Sequence, residues 1–321
     1  MDYFFKTAGE PVAFELIRLD IGRLMRPILW RLPRGYGLAS RVVLGPVGST
    51  YLGDPLFKQK LRRRHRIFYD RHLKCYVQAD VGDAGSRTHY ILGRYYENIV
   101  PLLIRSLLQP GDTFIDIGAN RGVHTMFASR YLDRGRVISF EPNPKTFRVL
   151  QAHATINNLG NCELHNMGVS NKEDTLSLQL FADDAPSGCS FIDKGQNPVA
   201  DSFLVPVRRL DEVLGAGALR GKTLIKVDTE GFDHRVIQGM GSLLDHDQLA
   251  IVTEVVDDWL RKAGSSAQAL FDDLLGRGFQ AWVPSARFHG ISEKLHLEPI
   301  SQVPNRSDQY DLVFTKPGMV S

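Results

Sequence analysis

Three ionisable residues alternate along Leu224-Ile225-Lys226-Val227-Asp228-Thr229-Glu230-Gly231. If the chain stays extended, alternation puts Lys226, Asp228 and Glu230 on one side, away from Val227. Charges at the mouth of a buried sheet are costly unless they pair or work. Two readings stay open. One is an ion pair of Lys226 with Asp228 or Glu230 closing the sheet end. The other is a carboxylate placed to take a proton from a hydroxyl, with Asp228 the first choice and Glu230 or Glu254 as substitutes. Glu254 ends the next apolar run, Ala250-Ile251-Val252-Thr253-Glu254-Val255, and lies beside this site if successive runs are neighbouring strands. A hard divalent ion held by Asp228, Glu254 and Asp257 or Asp258 would activate a hydroxyl by coordination instead. Carboxylates at a sheet end do not by themselves make a metal site, and no metal is expected.

A second group could hold a ligand. Phe114-Ile115-Asp116-Ile117-Gly118-Ala119-Asn120-Arg121-Gly122 runs from an apolar strand through a glycine turn into a helix, so backbone N–H groups and a helix N-terminus face outward. A dinucleotide site would want glycine at position 120 for close approach of a pyrophosphate. Asn120 stands there, which suits a ligand without pyrophosphate, such as S-adenosylmethionine (SAM). Ser139-Phe140-Glu141-Pro142-Asn143 ends the next strand, with Glu141 placed 23 residues after Gly118. A carboxylate there can accept from both hydroxyls of a ribose. Its alternative role is that of an acid at a helix start marked by Pro142 and Pro144. The histidines His124, His165 and His234 are isolated and read as structural, with His234 the one to test. Asp183-Asp184 falls in a loop without a preceding strand, and Ser187-Gly188-Cys189-Ser190 reads as a substrate lid or a plain turn.

These residues need a scaffold. From Tyr90 onward, short apolar runs at 113–117, 137–140, 162–166, 224–227, 250–255, 279–283 and 310–314 alternate with helix-like spans at 98–108, 124–131, 144–158, 234–240 and 267–277. Strands alternating with helices imply a mostly parallel sheet covered on both faces, with ligands at the carboxyl ends of the strands. Ile67-Phe68-Tyr69 and Cys75-Tyr76-Val77 flank a turn and predict a hairpin. The organisation expected is a basic N-terminal extension, 1–89, and a catalytic domain, 90–321.

Of 321 residues, 43% are hydrophobic and 23% charged, which excludes a disordered, collagen-like or disulfide-scaffold chain. Three cysteines without metal-site spacing point to a reducing compartment and no structural zinc. The net charge of +3 hides an asymmetry: residues 1–110 carry 18 Lys and Arg against 9 Asp and Glu, while the remainder carries 21 against 27. Residues 12–32 show helical periodicity with basic residues opposite the apolar stripe. Such a helix packs on its own domain, on a second copy of the chain as a homo-oligomer, or on an anionic bilayer surface. Residues 33–57 are a Gly- and Pro-rich connector, and 58–66 form the densest basic run. No stretch is apolar enough to span a bilayer and no secretory signal is seen. The expectation is a cytoplasmic protein, with peripheral contact of residues 12–66 with the inner membrane face one of these alternatives. Nucleic acid is not expected as a partner, because the basic run lacks interleaved aromatics.

The motifs in this order resemble the FkbM family of SAM-dependent methyltransferases: D-x-G-A-N-x-G at Asp116–Gly122, E-P-x-P at Glu141–Pro144, K-x-D-x-E-G at Lys226–Gly231, then Glu254 ending the following strand. Gly93-Arg94-Tyr95-Tyr96-Glu97 and Pro110-Gly111-Asp112 are similar to the family's lead-in, and the likeness covers residues 90–316. It implies a class I, Rossmann-like methyltransferase fold, an α/β domain whose seven-stranded, mostly parallel sheet has an antiparallel last strand. It also implies methyl transfer from SAM to a hydroxyl of a sugar, glycolipid, polysaccharide or other small acceptor. Carried over, Asp116, Gly118, Asn120, Gly122 and Thr125 would serve the methionine end of SAM. Glu141 would hold the ribose with Asn143 nearby, and Met167 and Gly168 would border the adenine. Lys226, Asp228, Glu230 and Glu254 would ring the acceptor side. Two other classes are weighed: a nucleic-acid methyltransferase, which would want an Asn/Asp-Pro-Pro-aromatic tetrapeptide where Asp228-Thr229-Glu230-Gly231 stands, and a non-catalytic SAM-binding partner of a membrane glycan enzyme.

Overall fold

The computed structural model describes residues 65–80, 83, 85–86, 89–90, 95, 97–181, 189–193, 198–215, 218–289, 292–306 and 308–320. The 12–32 periodicity, the 33–57 connector, nearly all of the 58–66 basic run and the Asp183-Asp184 pair lie outside the described residues. In chain order the elements begin with β1 (His65–Asp70), β2 (Cys75–Asp80), α1 (Ile99–Leu107), β3 (Thr113–Ile117), α2 (Val123–Leu132), β4 (Arg136–Phe140), α3 (Pro144–Ile156) and β5 (Cys162–His165). There follow β6 (Gly168–Val169), β7 (Asp174–Phe181), β8 (Cys189–Ser190), β9 (Val199–Arg208), α4 (Leu210–Leu214), β10 (Thr223–Val227), α5 (Asp233–Gln238) and β11 (Leu249–Val255). The chain ends with α6 (Asp257–Lys262), α7 (Ala267–Gly276), β12 (Gln280–His289), β13 (Ser292–Ile300) and β14 (Tyr310–Thr315).

The central sheet runs β13-β12-β14-β11-β10-β3-β4-β5. Strands β5, β4, β3, β10 and β11 are parallel, and β14 is inserted antiparallel between β11 and β12. The expected architecture is present, with one correction: the sheet has eight strands, because β12 continues through a hairpin into β13. That strand, Ser-Glu-Lys-Leu-His-Leu-Glu-Pro-Ile, is polar and only partly buried at the sheet edge, so it carries no apolar run to announce it. Strands β6, β7, β8 and β9, none of them expected, form a second sheet in the order β6-β9-β7-β8.

Each central strand is buried on both faces, and its alternate residues serve two cores. Ile115, Ile117, Ile138, Phe140, Ile225, Val227 and Ile251 pack with Val236 and Ile237 of α5 and Leu270, Phe271 and Leu274 of α7. Phe114, Val137, Leu224, Ala250 and Val252 pack with Leu103, Ile104 and Leu107 of α1, Met126 and Phe127 of α2, and Phe68, Cys75, Val77 and Ala79 of the β1–β2 hairpin. Asp116 and Lys226 fall on the second of these faces by the same alternation. The parallel register then sets Ser139, Asp116 and Lys226 side by side across β4, β3 and β10. A polar row is thus built into the carboxyl end of an otherwise apolar layer. Among the described residues, no helix is long and apolar enough to cross a membrane.

Candidate active site

The turn after β3 is held tightly. Gly118 has φ +78°, and a Cβ placed on it would lie 1.9 Å from the backbone oxygen of Asp228, so only glycine fits. Its N–H and that of Ala119 both donate to the Phe140 carbonyl, at 3.0 and 2.9 Å. Gly122, also at positive φ, begins α2 where a side chain would strike Leu150. The Glu141 carboxylate closes this turn onto the next strand end: Oε2 accepts from Asn120 N and Oε1 from Asn143 N, each at 2.8 Å. Burial pushes the Glu141 carboxyl up to about 7, against the pull of those two N–H groups and of Lys226. Asn143 is fully buried and caps α3 by accepting from Lys145 N at 2.9 Å.

Lys226 is the hub of the polar row. Its Nζ lies 3.1 Å from Asp228 Oδ2 and 3.5 Å from Asp116 Oδ1, and donates to the Gly118 carbonyl at 3.2 Å. Burial alone would lower its pKa, but the carboxylates of Asp228, Asp116 and Glu97 together hold it above the ordinary lysine range. The ion-pair reading of Lys226 and Asp228 is therefore realised. Asp116 and Thr125 are placed beneath the turn rather than on its outer surface. Both are fully buried, and Thr125 Oγ1 donates to Asp116 Oδ2 at 2.7 Å and contacts Ser139 Oγ at 2.8 Å, pinning α2 to β3 and β4.

The extended conformation does not continue to residue 230. Glu230 has φ +55° and Gly231 +102°, and the turn is organised by buried Asp233, which accepts from Thr229 N at 3.3 Å and Gly231 N at 3.1 Å. Lys226 and Asp228 share one side; Glu230 turns toward another.

Two clefts open at this sheet end and meet at Gly118, Asn120 and Asp228, which line both. The first, about 610 Å³ with its open mouth, is bordered by Phe140, Glu141, Pro142, Met167, Gly168, Val169, Leu178, Cys189, Phe191 and Glu230. Its floor comes from β3, β4 and β10, and its cover from the second sheet. Among its described lining residues are three carboxylates, Glu141, Asp228 and Glu230, and no Lys, Arg or His. Burial pushes the Cys189 thiol up to about 12, so it is present as the neutral thiol. The second cleft, about 700 Å³ with its open mouth, is walled by Val77–Ala79 of β2, by Asp83, Gly85, Ser86, His89, Tyr95 and Glu97, and by Arg121, Val123 and His124. In it Glu97 accepts from the Tyr95 hydroxyl at 3.0 Å and lies 3.2 Å from His124 Nε2. Burial would raise the Glu97 carboxyl, yet His124, Lys226 and Tyr95 lower it to about 2.

Other expected participants lie elsewhere. Glu254 sits on β11 beside β10, bonded to Gln309 Nε2 and outside both clefts. Burial and then the charges of Asp228, Glu230, Asp233 and Asp311 raise its carboxyl to about 9. Asp257 does not join a metal set: its carboxylate accepts from Arg261 Nε and Ala267 N, both at 2.7 Å. Among the described residues, no three His, Cys, Asp or Glu converge on a metal-sized site. His234 is buried between Ser265 and Asp273 and lines neither cleft. His165 stacks on Phe140 with ring centroids 4.7 Å apart. Asp233 as turn organiser, and Asp83 and Arg121 as cleft walls, are not singled out by sequence, and His124, read there as structural, also lines the second cleft, because these positions follow from elements that meet only in the folded chain.

Comparison with known proteins gives this geometry a family. The chain is 28% identical over 178 residues to Methyltransferase 1 of Beauveria bassiana, covering 50% of this chain and 70% of that protein. It is 26% identical over 163 residues to the hexuronic acid methyltransferase AglP of Haloferax volcanii, covering 49% and 61% respectively. A crystal structure of an FkbM methyltransferase from Methylobacillus flagellatus aligns with a TM-score of 0.40 at 16% identity, over 80% of this chain and 57% of that one. The methyltransferase FkbM domain itself matches residues 116–281, more than half of the chain and all three motifs. The chain belongs to the FkbM methyltransferase family and takes the methyl group it transfers from SAM.

Proposed function

We propose that the protein is an O-methyltransferase acting on a hydroxyl of a sugar or another small hydroxylated acceptor. The observation that carries this reading is Asp228, whose carboxylate sits where the two clefts meet, 3.1 Å from the buried ammonium of Lys226. The first cleft fits SAM: Glu230 and the part-ionised Glu141 favour a cation, Asp228 being already paired with Lys226, and a buried glutamate at the strand end suits a diol. Bound there, SAM supplies a methyl group already activated by its sulfonium.

The chain's own residues do the rest. Glu141 holds the ribose hydroxyls, while Met167, Gly168, Val169 and Leu178 border the adenine. Gly118 and Asn120 keep the turn low enough for close approach. Asp228 accepts the proton from the acceptor hydroxyl as attack proceeds, and Lys226 aims its carboxylate by holding one oxygen. Alignment of the two reactants and exclusion of water supply most of the acceleration. The name of the Haloferax relative, a hexuronic acid methyltransferase, supports a sugar acceptor. The basic charge of residues 1–110 supports acceptors presented on an anionic membrane surface.

Radiolabelled methyl transfer into glycolipid, polysaccharide and RNA fractions of the source cell identifies the acceptor class. With that acceptor, Asp228→Asn should lower kcat by about 10²–10⁴-fold with SAM affinity unchanged. Full turnover in this variant removes Asp228 as the base, and label appearing only in RNA removes the sugar reading.

A further inference from the structure

The β1–β2 hairpin is held rigidly from behind. Asn157, at the end of α3, takes the place of a third strand: its Oδ1 accepts from Tyr76 N at 2.6 Å and its Nδ2 donates to the Tyr76 carbonyl at 2.8 Å. One turn earlier on that helix, His153 Nε2 accepts from Gln78 N at 2.7 Å, and its Nδ1 donates to the Arg121 carbonyl at 2.7 Å. Buried Asp70 fixes the turn by accepting from His72 N and Leu73 N, at 2.7 and 3.0 Å. Two strands alone are marginal in water, and here Phe68, Cys75, Val77 and Ala79 anchor them in the core. The front is bare. Ile67, Tyr69 and Tyr76 are 48%, 43% and 49% exposed, with Tyr69 directly opposite Tyr76 and the two ring centroids 5.2 Å apart. Among the described residues six large hydrophobic side chains are exposed; these are three of them, and Ile156, next to Asn157, is a fourth.

We propose that this face of the hairpin docks on an anionic lipid surface. Exposed apolar side chains scattered singly need no explanation, but four gathered at one rigid hairpin do. Their chemistry suits a bilayer boundary: each tyrosine joins an apolar ring to a polar tip that stays among the headgroups, and isoleucine reaches the acyl layer. Charge complements it. Arg71 and Lys74 occupy the exposed turn between the two tyrosines. Behind that turn are exposed Arg105, over the Phe127 ring on which His72 stacks, and exposed Arg130, which donates to the Asn157 carbonyl. The chain enters β1 from Lys58–Arg64, which adds five Lys and Arg and no Asp or Glu. Each cation brought near an anionic surface strengthens binding about fivefold. A nucleic acid would use these cations and the tyrosine rings but leave Ile67 and Ile156 in water. Strand β2 also contributes Val77, Gln78 and Ala79 to the cleft that Asp228 lines, so docking holds that carboxylate beside the bilayer.

The test uses the full chain and reads lipid binding rather than turnover, so its failure leaves the methyl-transfer reading standing. In co-sedimentation, vesicles of phosphatidylcholine and phosphatidylglycerol at about 7:3 should bind at least about tenfold more tightly than phosphatidylcholine alone, and less tightly as salt rises. The triple variant Ile67→Ser, Tyr69→Ser, Tyr76→Ser keeps every basic residue and should lose at least about tenfold of that affinity. Arg71→Glu combined with Lys74→Asp changes exposed turn positions alone, should lose as much, and decides the matter if the triple variant does not fold. A melting transition like that of wild type certifies the fold of each. The proposal is overturned if the mixed vesicles bind no better than phosphatidylcholine. It is overturned equally if the folded variants bind them as wild type does, which assigns lipid binding to residues 1–64. A dimer in sedimentation velocity that the triple variant dissociates would make the face a contact between copies instead. Binding of a polyuridylate oligonucleotide, lost in the variants and without vesicle binding, would make it a nucleic-acid surface.

Discussion

Glutamine at position 141 removes one charge and almost no volume, so its effect can be worked from contacts. Both oxygens of Glu141 accept a backbone N–H at 2.8 Å, from Asn120 and from Asn143. An amide can satisfy only one of these and turns its NH₂ against the other, at about 1–3 kcal/mol for a buried unpaired donor. The charge-assisted bond to a ribose hydroxyl is lost as well, worth about 1.5–3 kcal/mol. The first cost is present with or without SAM and lowers stability, so the second alone predicts SAM binding weakened by about 10–10²-fold. The pH dependence is a second signature. With its carboxyl raised to about 7, Glu141 is half protonated near neutrality in the free protein. Binding that requires the ion should therefore weaken about tenfold per pH unit below 7 in wild type and stay flat in Glu141→Gln. The same shift acts on folding. Between about 4.5 and 7 the folded state holds a proton that the unfolded chain has released, so this group's contribution to stability falls as pH rises through that window. Calorimetric titration with SAM at pH 6, 7 and 8 reads both effects. A variant binding within threefold of wild type at pH 8 would falsify the assignment of Glu141 to the ribose.

Three further outcomes follow from the geometry. Gly118→Ala must displace the Asp228 carbonyl, 1.9 Å from the new Cβ, and hold alanine at φ +78°. A misplacement near 1 Å predicts kcat down about 10²-fold, and wild-type kcat would show that Asp228 is not positioned by this turn. Glu254→Gln relieves a carboxyl raised to about 9 by burial and by Asp228, Glu230, Asp233 and Asp311. Its folded state retains a proton that the unfolded state loses above about 4.5, so wild-type stability declines as pH rises toward 9. The variant's Tm advantage should grow over that range to about 2–4 °C, and a Tm difference that does not change with pH refutes the shift. His234→Ala should leave kcat and KM unchanged while lowering Tm, because His234 bonds Ser265 and Asp273 and lines neither cleft. Loss of turnover without loss of stability would reverse that expectation.

Periodicity and motif order in the chain by themselves determined the alternation of strands and helices, the strand-end placement of Asp116, Glu141, Asp228 and Glu254, and the family. These properties are local: apolar runs make buried parallel strands, glycine marks the turns, and charged residues at strand ends mark the ligand side. The tertiary structure decided which of these residues meet. Parallel register, set by packing of alternate residues into two cores, brings Asp116 beside Lys226. Positive φ at Glu230 ends the alternation that would have carried it to the side of Lys226 and Asp228. Burial decided that Asp116 and Thr125 support the turn from below. The outer wall of the second cleft was not legible beforehand, because it joins β2, Asp83, Gly85, Ser86, His89, Tyr95 and Glu97 to the motif residues Gly118, Asn120, Lys226 and Asp228. Contacts between such distant segments leave no periodic trace in the chain. They arise only when the hairpin buries Phe68, Cys75, Val77 and Ala79 against the core it shares with α1 and α2.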